Sequence, residues 1–139
     1  MTHMTMAEKE AFLAEPHVGV LSVARPQAGP LTVPVWYDYR PGGTLWFITG
    51  RHSRKGRLLD VGVRVSLCAQ TETAPYRYVS VEGPVTALDE VDDELLPMAV
   101  RYLGEERGRA YAESSTEADS VVVRVEPQTW LAVDYRKAR

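Results

Sequence analysis

A single cysteine, Cys68, stands in a chain of 139 residues. That excludes an internal disulfide and any cysteine-rich zinc site. His3 and His17 have no partners at metal-ligand spacing, so no metal centre is expected, and His52 reads either as a solvated turn residue or as one that contacts an anion or supplies a proton. Long apolar runs are missing: no segment approaches the roughly 20 residues of a membrane span. The stretch MTHMTMAEKEAF at the start is too polar for a secretory signal. A cytoplasmic protein without membrane contact is the expectation. A strong charge of one sign is missing too. The formal net charge is -3, so the whole molecule is no electrostatic trap for nucleic acid. G-x-S-x-G, Walker and G-x-G-x-x-G motifs are all absent, and with them the common signatures of serine hydrolases, P-loop enzymes and dinucleotide folds. There is no repeat, low-complexity segment or linker, so residues 1–139 read as one domain.

What is present is a series of short β-forming segments. Thr5 can cap a short helix through Glu8, Phe12 and Leu13 that ends at Pro16. Strands are expected over 18–24, 31–39, 45–49, 63–70, 76–88 and 120–135, separated by turn residues such as Pro41-Gly42-Gly43. Pro34 marks a strand edge or a bulge, and Gly83-Pro84 a bend. A short helix is expected over 53–60 and a longer one over 90–112, whose N-terminus would carry Asp89, Glu90, Asp92, Asp93 and Glu94. Residues 114–119 read as a polar connection and 135–139 as a frayed tail. About six strands joined mostly by hairpins favour a mainly β (α+β) fold, an antiparallel sheet closing into a barrel with peripheral helices.

The segment Thr49-Gly50-Arg51-His52-Ser53-Arg54-Lys55-Gly56-Arg57 carries the clearest chemical signal. A helix N-terminus favours acidic residues, yet here Ser53 in the N-cap position is followed by Arg54 and Lys55. Cations there make sense if an anion, most simply a phosphate, is held with them. The alternative is a solvated basic turn, because each helix-terminus preference is worth about 0.3–1 kcal/mol. Among the aromatics, Trp46 reads as a core filler, while Trp36 and Tyr76 fit either a core or the wall of a flat ligand. Cys68 lies mid-strand among apolar neighbours and reads as a buried structural residue.

The spacing Phe47-x-Thr49-x-x-x-Ser53-Arg54-Lys55, followed by Arg64-Val65-Ser66-Leu67, resembles the cofactor-phosphate motif of the pyridoxamine 5'-phosphate oxidase-like superfamily. Val33-Pro34-Val35-Trp36-Tyr37 and Tyr76-Arg77-Tyr78-Val79-Ser80-Val81-Glu82-Gly83 resemble two of its strands, so the likeness spans nearly the whole chain. The resemblance implies a six-stranded split β-barrel, a homodimer with cofactor sites at the interface, and FMN or the deazaflavin coenzyme F-420 as cofactor. It implies that Ser53, Arg54 and Lys55 hold the cofactor phosphate with Thr49 beside it. Val33, Pro34, Val35 and Trp36 would run along the ring, and Gln70 would approach it. Tyr76 and Tyr78 are candidates for a catalytic proton donor. The C-terminal residues Trp130 to Arg139 do not resemble the basic segment with which true pyridoxamine-phosphate oxidases grip their substrate, which counts against vitamin B6 oxidation.

Three functional classes follow. The first is an oxidoreductase in which the cofactor transfers hydride to or from a small organic substrate, which needs no protein nucleophile. The second is a flavin-binding or carrier protein without turnover. The third, a barrel that binds single-stranded nucleic acid, needs a basic groove with stacking aromatics and sits poorly with the acidic balance.

Overall fold

The computed structural model describes residues 1–115 and 119–138. Helix α1 (Met6–Ala14) is followed by strands β1 (Gly19–Arg25), β2 (Ala28–Val35), β3 (Asp38–Tyr39), β4 (Leu45–Gly50), β5 (Arg64–Gln70) and β6 (Arg77–Glu90). Helices α2 (Leu95–Leu103) and α3 (Glu105–Ser114) come next, then strands β7 (Ser120–Val125) and β8 (Thr129–Asp134). The expected connection over 114–119 lies in part outside the described residues.

Period-2 alternation builds the sheet. Leu45, Phe47 and Thr49 of β4 point inward, as do Val65, Leu67 and Ala69 of β5 and Val79, Val81 and Val85 of β6. All pairings are antiparallel, and the strand order is β2-β1-β5-β6-β7-β4-β3, with β8 pairing β6 beside the main path. Strands β2 and β3 stand at opposite ends of this order, yet only Trp36 and Tyr37 separate them in the chain. The sheet must therefore curl until its two edges approach, which makes it a split barrel. Strand β6 serves both halves. Its first half lies between β5 and β8, and its second half pairs β7 after a register shift between Val85 and Ala87. Phe12 and Leu13 of α1 join the core. Thr5 and Glu8 form the reciprocal capping box at the start of α1, so the expected cap is present.

Eight strands replace the expected six, because two long strands are interrupted. The segment 31–39 breaks at Trp36–Tyr37, where the Tyr37 carbonyl accepts hydrogen bonds from Arg101 Nε (3.0 Å) and the Tyr102 hydroxyl (2.9 Å) rather than from a strand. The segment 120–135 breaks around Pro127, which has no N–H to offer a ladder. Pro34 lies on β2, an edge strand, as its chemistry requires.

The helical region also departs from expectation. It is two helices, parted at Gly104, whose φ of 87° is a conformation that side chains resist. Pro97 falls in the first turn of α2, where its missing N–H would have had no intrahelical acceptor. The acidic group does not form the first turn of α2. Asp89 and Glu90 end β6, and Glu94 sits at the cap with its Oε1 accepting from Asp92 N–H (2.8 Å) and without a bond to the helix's own N–H groups. Arg124 meets Asp89 at 3.3 Å and Glu94 at 3.8 Å. The chain end is not frayed through Ala138. Tyr135–Lys137 form a 3-10 turn, Asp134 N–H donates to the Thr2 carbonyl (2.8 Å), and Lys137 Nζ donates to the His3 carbonyl (2.9 Å). Among the described residues no helix is long and apolar enough to cross a membrane.

Candidate cofactor-binding site

A cleft of about 510 Å³ opens between the end of β4, the end of β2 and the α2–α3 pair. Pro34, Val35 and Trp36 form one wall, Ile48, Thr49 and Gly50 another, and Ser53 and Lys55 lie at the turn beyond β4. Leu95 and Met98 of α2 and Tyr111 of α3 complete it. Met98 is one turn from Leu95, so both fall on one helix face.

The turn after β4 is built by its own backbone. Arg51 N–H extends the β4–β7 ladder to the Asp119 carbonyl at 2.8 Å, and Ser53 N–H returns to the Gly50 carbonyl at 3.1 Å. The Ser53 hydroxyl donates to the Gly50 carbonyl (2.8 Å) and accepts from Gly56 N–H (3.0 Å). The Thr49 hydroxyl lies 3.2 Å away. Since the Ser53 proton is committed to Gly50, Thr49 is the donor of that pair. Gly56 is required here, because a Cβ would collide with the Gly50 carbonyl oxygen.

These bonds correct the expected helix over 53–60. What forms is a 3-10 turn, Gly56–Leu58, preceded by irregular turns. A single 3-10 turn carries no useful macrodipole, so Arg54 and Lys55 violate no helix-terminus preference. Ser53 also does not face an anion with a free proton; its hydroxyl holds the turn in shape. Donors of the turn without an acceptor among the described residues include the Arg54 and Lys55 N–H groups and the Lys55 ammonium.

Of the residues proposed from sequence for the cofactor, Pro34, Val35, Trp36, Thr49, Ser53 and Lys55 line this one cleft. Val33 does not: it pairs with Leu21 and packs against the core. Arg54 lines a separate cleft with Arg25, Leu31, Arg57 and Leu58, because consecutive residues of a tight turn diverge. Gln70 is exposed at the end of β5, opposite Tyr78 of β6, and neither lines the cleft. Tyr76 is half exposed just before β6, also outside it. The sequence reading missed the contribution of Leu95, Met98 and Tyr111. A lone aromatic on the otherwise polar helix α3 was the signal for Tyr111.

Trp36 is held firmly. Its ring stacks on Tyr102 at 5.1 Å and 6°, and Tyr111 tilts against it at 5.4 Å and 54°. Below this stack the Tyr102 hydroxyl accepts from Tyr37 N–H (3.0 Å) and reaches the carbonyls of His17 (2.6 Å) and Tyr37 (2.9 Å). Its one proton serves one carbonyl at a time. Arg101 adds a bond to the Tyr37 carbonyl and an ion pair with Asp38 (3.2 Å). Burial pushes the Tyr37 and Tyr102 phenols up, so both remain neutral hydrogen-bonding groups at ordinary pH. Burial also pushes the Cys68 thiol up, which leaves it a poor nucleophile.

No carboxylate or histidine lines the cleft among the described residues, and no group of three metal-ligating side chains exists among them. Lys55 therefore carries the cleft's formal charge. Apolar walls, a fixed indole and one cation beside unpaired N–H groups suit a flat heterocycle with an anionic tail. The volume is that of a small-molecule site.

The fold is a split barrel with this cleft at its seam. Within that class the chain belongs to the pyridoxamine 5'-phosphate oxidase family, whose family model matches residues 5–134. A solved F420 reductase is 25% identical, with a TM-score of 0.72 over 88% of this chain and 94% of that one. The conserved hypothetical protein Rv2991 from Mycobacterium tuberculosis is 26% identical, with a TM-score of 0.76 over 98% and 88%. An FAD binding protein from Mycobacterium smegmatis shares the fold at 14% identity, with a TM-score of 0.62 over 93% and 95%. No curated protein matches the chain.

Proposed function

We propose that this protein binds a flavin-type cofactor, FMN or the deazaflavin coenzyme F-420, in the cleft and acts as an oxidoreductase on a small organic substrate. The observation that carries the reading is the placing of Lys55 at one end of an apolar cleft walled by Pro34, Val35 and the fixed Trp36 ring. The cofactor supplies hydride transfer. The protein's part is to bind, orient and exclude water. Lys55 and the free N–H groups of the turn neutralise the phosphate, Trp36 and Ile48 flank the ring, and Leu95 and Met98 keep water from that side. A solved relative named as an F420 reductase supports the oxidoreductase reading, and one named as FAD binding supports a flavin-type ligand.

A second reading, a flavin-binding carrier without turnover, is favoured by the absence of any carboxylate or histidine along the cleft among the described residues. Both readings include a homodimer. Val18 and Val20 are exposed, at 53% and 39%, and Val18 lines the open cleft, so a second subunit would cover apolar surface there.

Titration of the purified protein with FMN and with F-420, followed by flavin absorbance and deazaflavin fluorescence, tests the binding. Saturable binding of one of them is expected, and binding of neither sinks the proposal. Lys55→Ala should weaken that binding by about 1.5–3 kcal/mol, the worth of a charge-assisted hydrogen bond. Unchanged affinity in the folded variant would move the phosphate elsewhere. Stopped-flow reoxidation of the reduced complex by candidate acceptors separates enzyme from carrier, and sedimentation velocity tests the dimer.

A further inference from the structure

Tyr111 is the one aromatic on α3, a helix whose only buried residue is Gly108. Gly108 docks the helix: it lies against the Val100 backbone, where a Cβ would collide. Tyr111 follows on the same face, about one turn further on. It is 45% exposed, yet it lines the cleft and tilts against Trp36. A ring left half in water at the edge of a cleft is one whose burial a flat ligand can complete.

The hydrogen bonds show what is left for its hydroxyl. Of the side chains that line the cleft, Ser53 commits its proton to the Gly50 carbonyl and Thr49 commits its own to Ser53. Lys55 serves the phosphate in the function proposed above. Tyr102, on which Trp36 stacks, spends its hydroxyl on the backbone of Tyr37 and His17. Two uncharged side-chain donors of the cleft have no acceptor among the described residues: the Tyr111 hydroxyl and the Trp36 indole N–H. Trp36 belongs with Pro34 and Val35 to the strand wall, whereas Tyr111 comes from the helices, with Leu95 and Met98.

We infer that the Tyr111 hydroxyl binds an oxygen atom of the substrate, and that the substrate is a flat, uncharged molecule carrying a carbonyl, quinone or nitro oxygen. This rests on the function proposed above and deepens it by naming the substrate class. With the strand wall against the cofactor ring, the helical side is left for the substrate. With Lys55 on the phosphate, no formal charge remains along the cleft to pair a charged substrate, and burying an unpaired charge is costly. Leu95 and Met98 offer an apolar surface to the body of the molecule. A single neutral donor beside them favours a ring that carries an oxygen acceptor over the same ring without one.

Two probes of one shape test it: 2,3-dimethyl-1,4-naphthoquinone and 2,3-dimethylnaphthalene, the same fused rings with and without oxygens. Equilibrium dialysis measures each against protein saturated with the oxidised cofactor it binds, for wild type and Tyr111→Phe. Phenylalanine keeps a ring against Trp36, so a merely structural role for Tyr111 leaves both affinities unmoved. The inference predicts about a tenfold loss of naphthoquinone affinity in the variant, with dimethylnaphthalene and cofactor affinities unchanged. Unchanged naphthoquinone affinity overturns it and leaves the Trp36 N–H as the donor. Equal losses for the two probes overturn it too, because they report packing rather than a hydrogen bond. So does wild-type protein that holds its cofactor but binds neither probe. A matching loss of cofactor affinity in Tyr111→Phe also overturns it, by putting the hydroxyl on the cofactor. If wild-type protein binds neither FMN nor F-420, the function proposed above falls, and this inference with it.

Discussion

Lys55 and Arg54 are neighbours in sequence, and their divergence rests on the glycine that follows. Gly56 brings its backbone against the Gly50 carbonyl while its N–H donates to Ser53 Oγ at 3.0 Å. Gly56→Ala has no relaxed solution, because the obstacle is backbone rather than a flexible side chain. Overpacking of this kind costs about 1–3 kcal/mol. The variant should lose that much stability in urea denaturation, and cofactor affinity should fall with it as Lys55 shifts. An alanine variant with wild-type stability would show that the turn has other conformations available. The motif's composition was legible from sequence, since serine, arginine and lysine after a strand do suggest an anion. The direction of each side chain was not. It depends on a tertiary contact between Gly56 and Gly50 that no local propensity encodes.

At the level of elements, α2 acts as a clamp on the corner between β2 and β3. Tyr102 and Arg101 satisfy backbone groups of Tyr37 that the interrupted strand leaves without partners. Tyr102→Phe keeps the ring under Trp36 but leaves the Tyr37 N–H without its acceptor. An unsatisfied buried donor costs about 1–3 kcal/mol, so the urea midpoint should fall by that measure. Cofactor affinity should change less, because the stacked wall survives. A loss of cofactor binding larger than the loss of stability would mean that the hydroxyl reaches the ligand. Strand positions in this fold could be read from the chain because alternation is local, as Leu45, Phe47 and Thr49 show. The same holds for α1, whose capping box lies within four residues. The share of the cleft made by Leu95, Met98 and Tyr111 could not, since it depends on how two helices parted at Gly104 fold back over the barrel. Gln70, Tyr76 and Tyr78 show the opposite case. Their residue types suit a site, but within one chain the β5–β6 pairing carries them away from the cleft.

For the whole molecule, curling of the sheet brings the ends of the chain together. The N–H of Asp134 reaches the Thr2 carbonyl, and Lys137 Nζ bonds both the His3 carbonyl and the Glu8 carboxylate, the latter at 2.8 Å. A tail that looked unstructured by composition is thus fixed by contacts more than 120 residues away in sequence, which local patterning does not reveal. The tie has a pH signature. Lys137 first, and then the Thr5 N–H, hold the Glu8 carboxyl down at about 2 from an ordinary 4.5. Its folded-state value is depressed, so its contribution to stability is complete above about 4.5 and is lost as pH falls through about 2. Glu8 is at the surface, so the effect is modest and weakens with salt. Lys137→Met removes the largest cause of the depression. The variant should melt below wild type at neutral pH, and the gap should close across this acid window. Thermal melts of both proteins at low ionic strength, from neutral pH down to about 2, measure it. A gap that stays constant through the window would mean that Lys137 stabilises the termini through its bond to the His3 carbonyl and its packing, with no net contribution from the Glu8 charge.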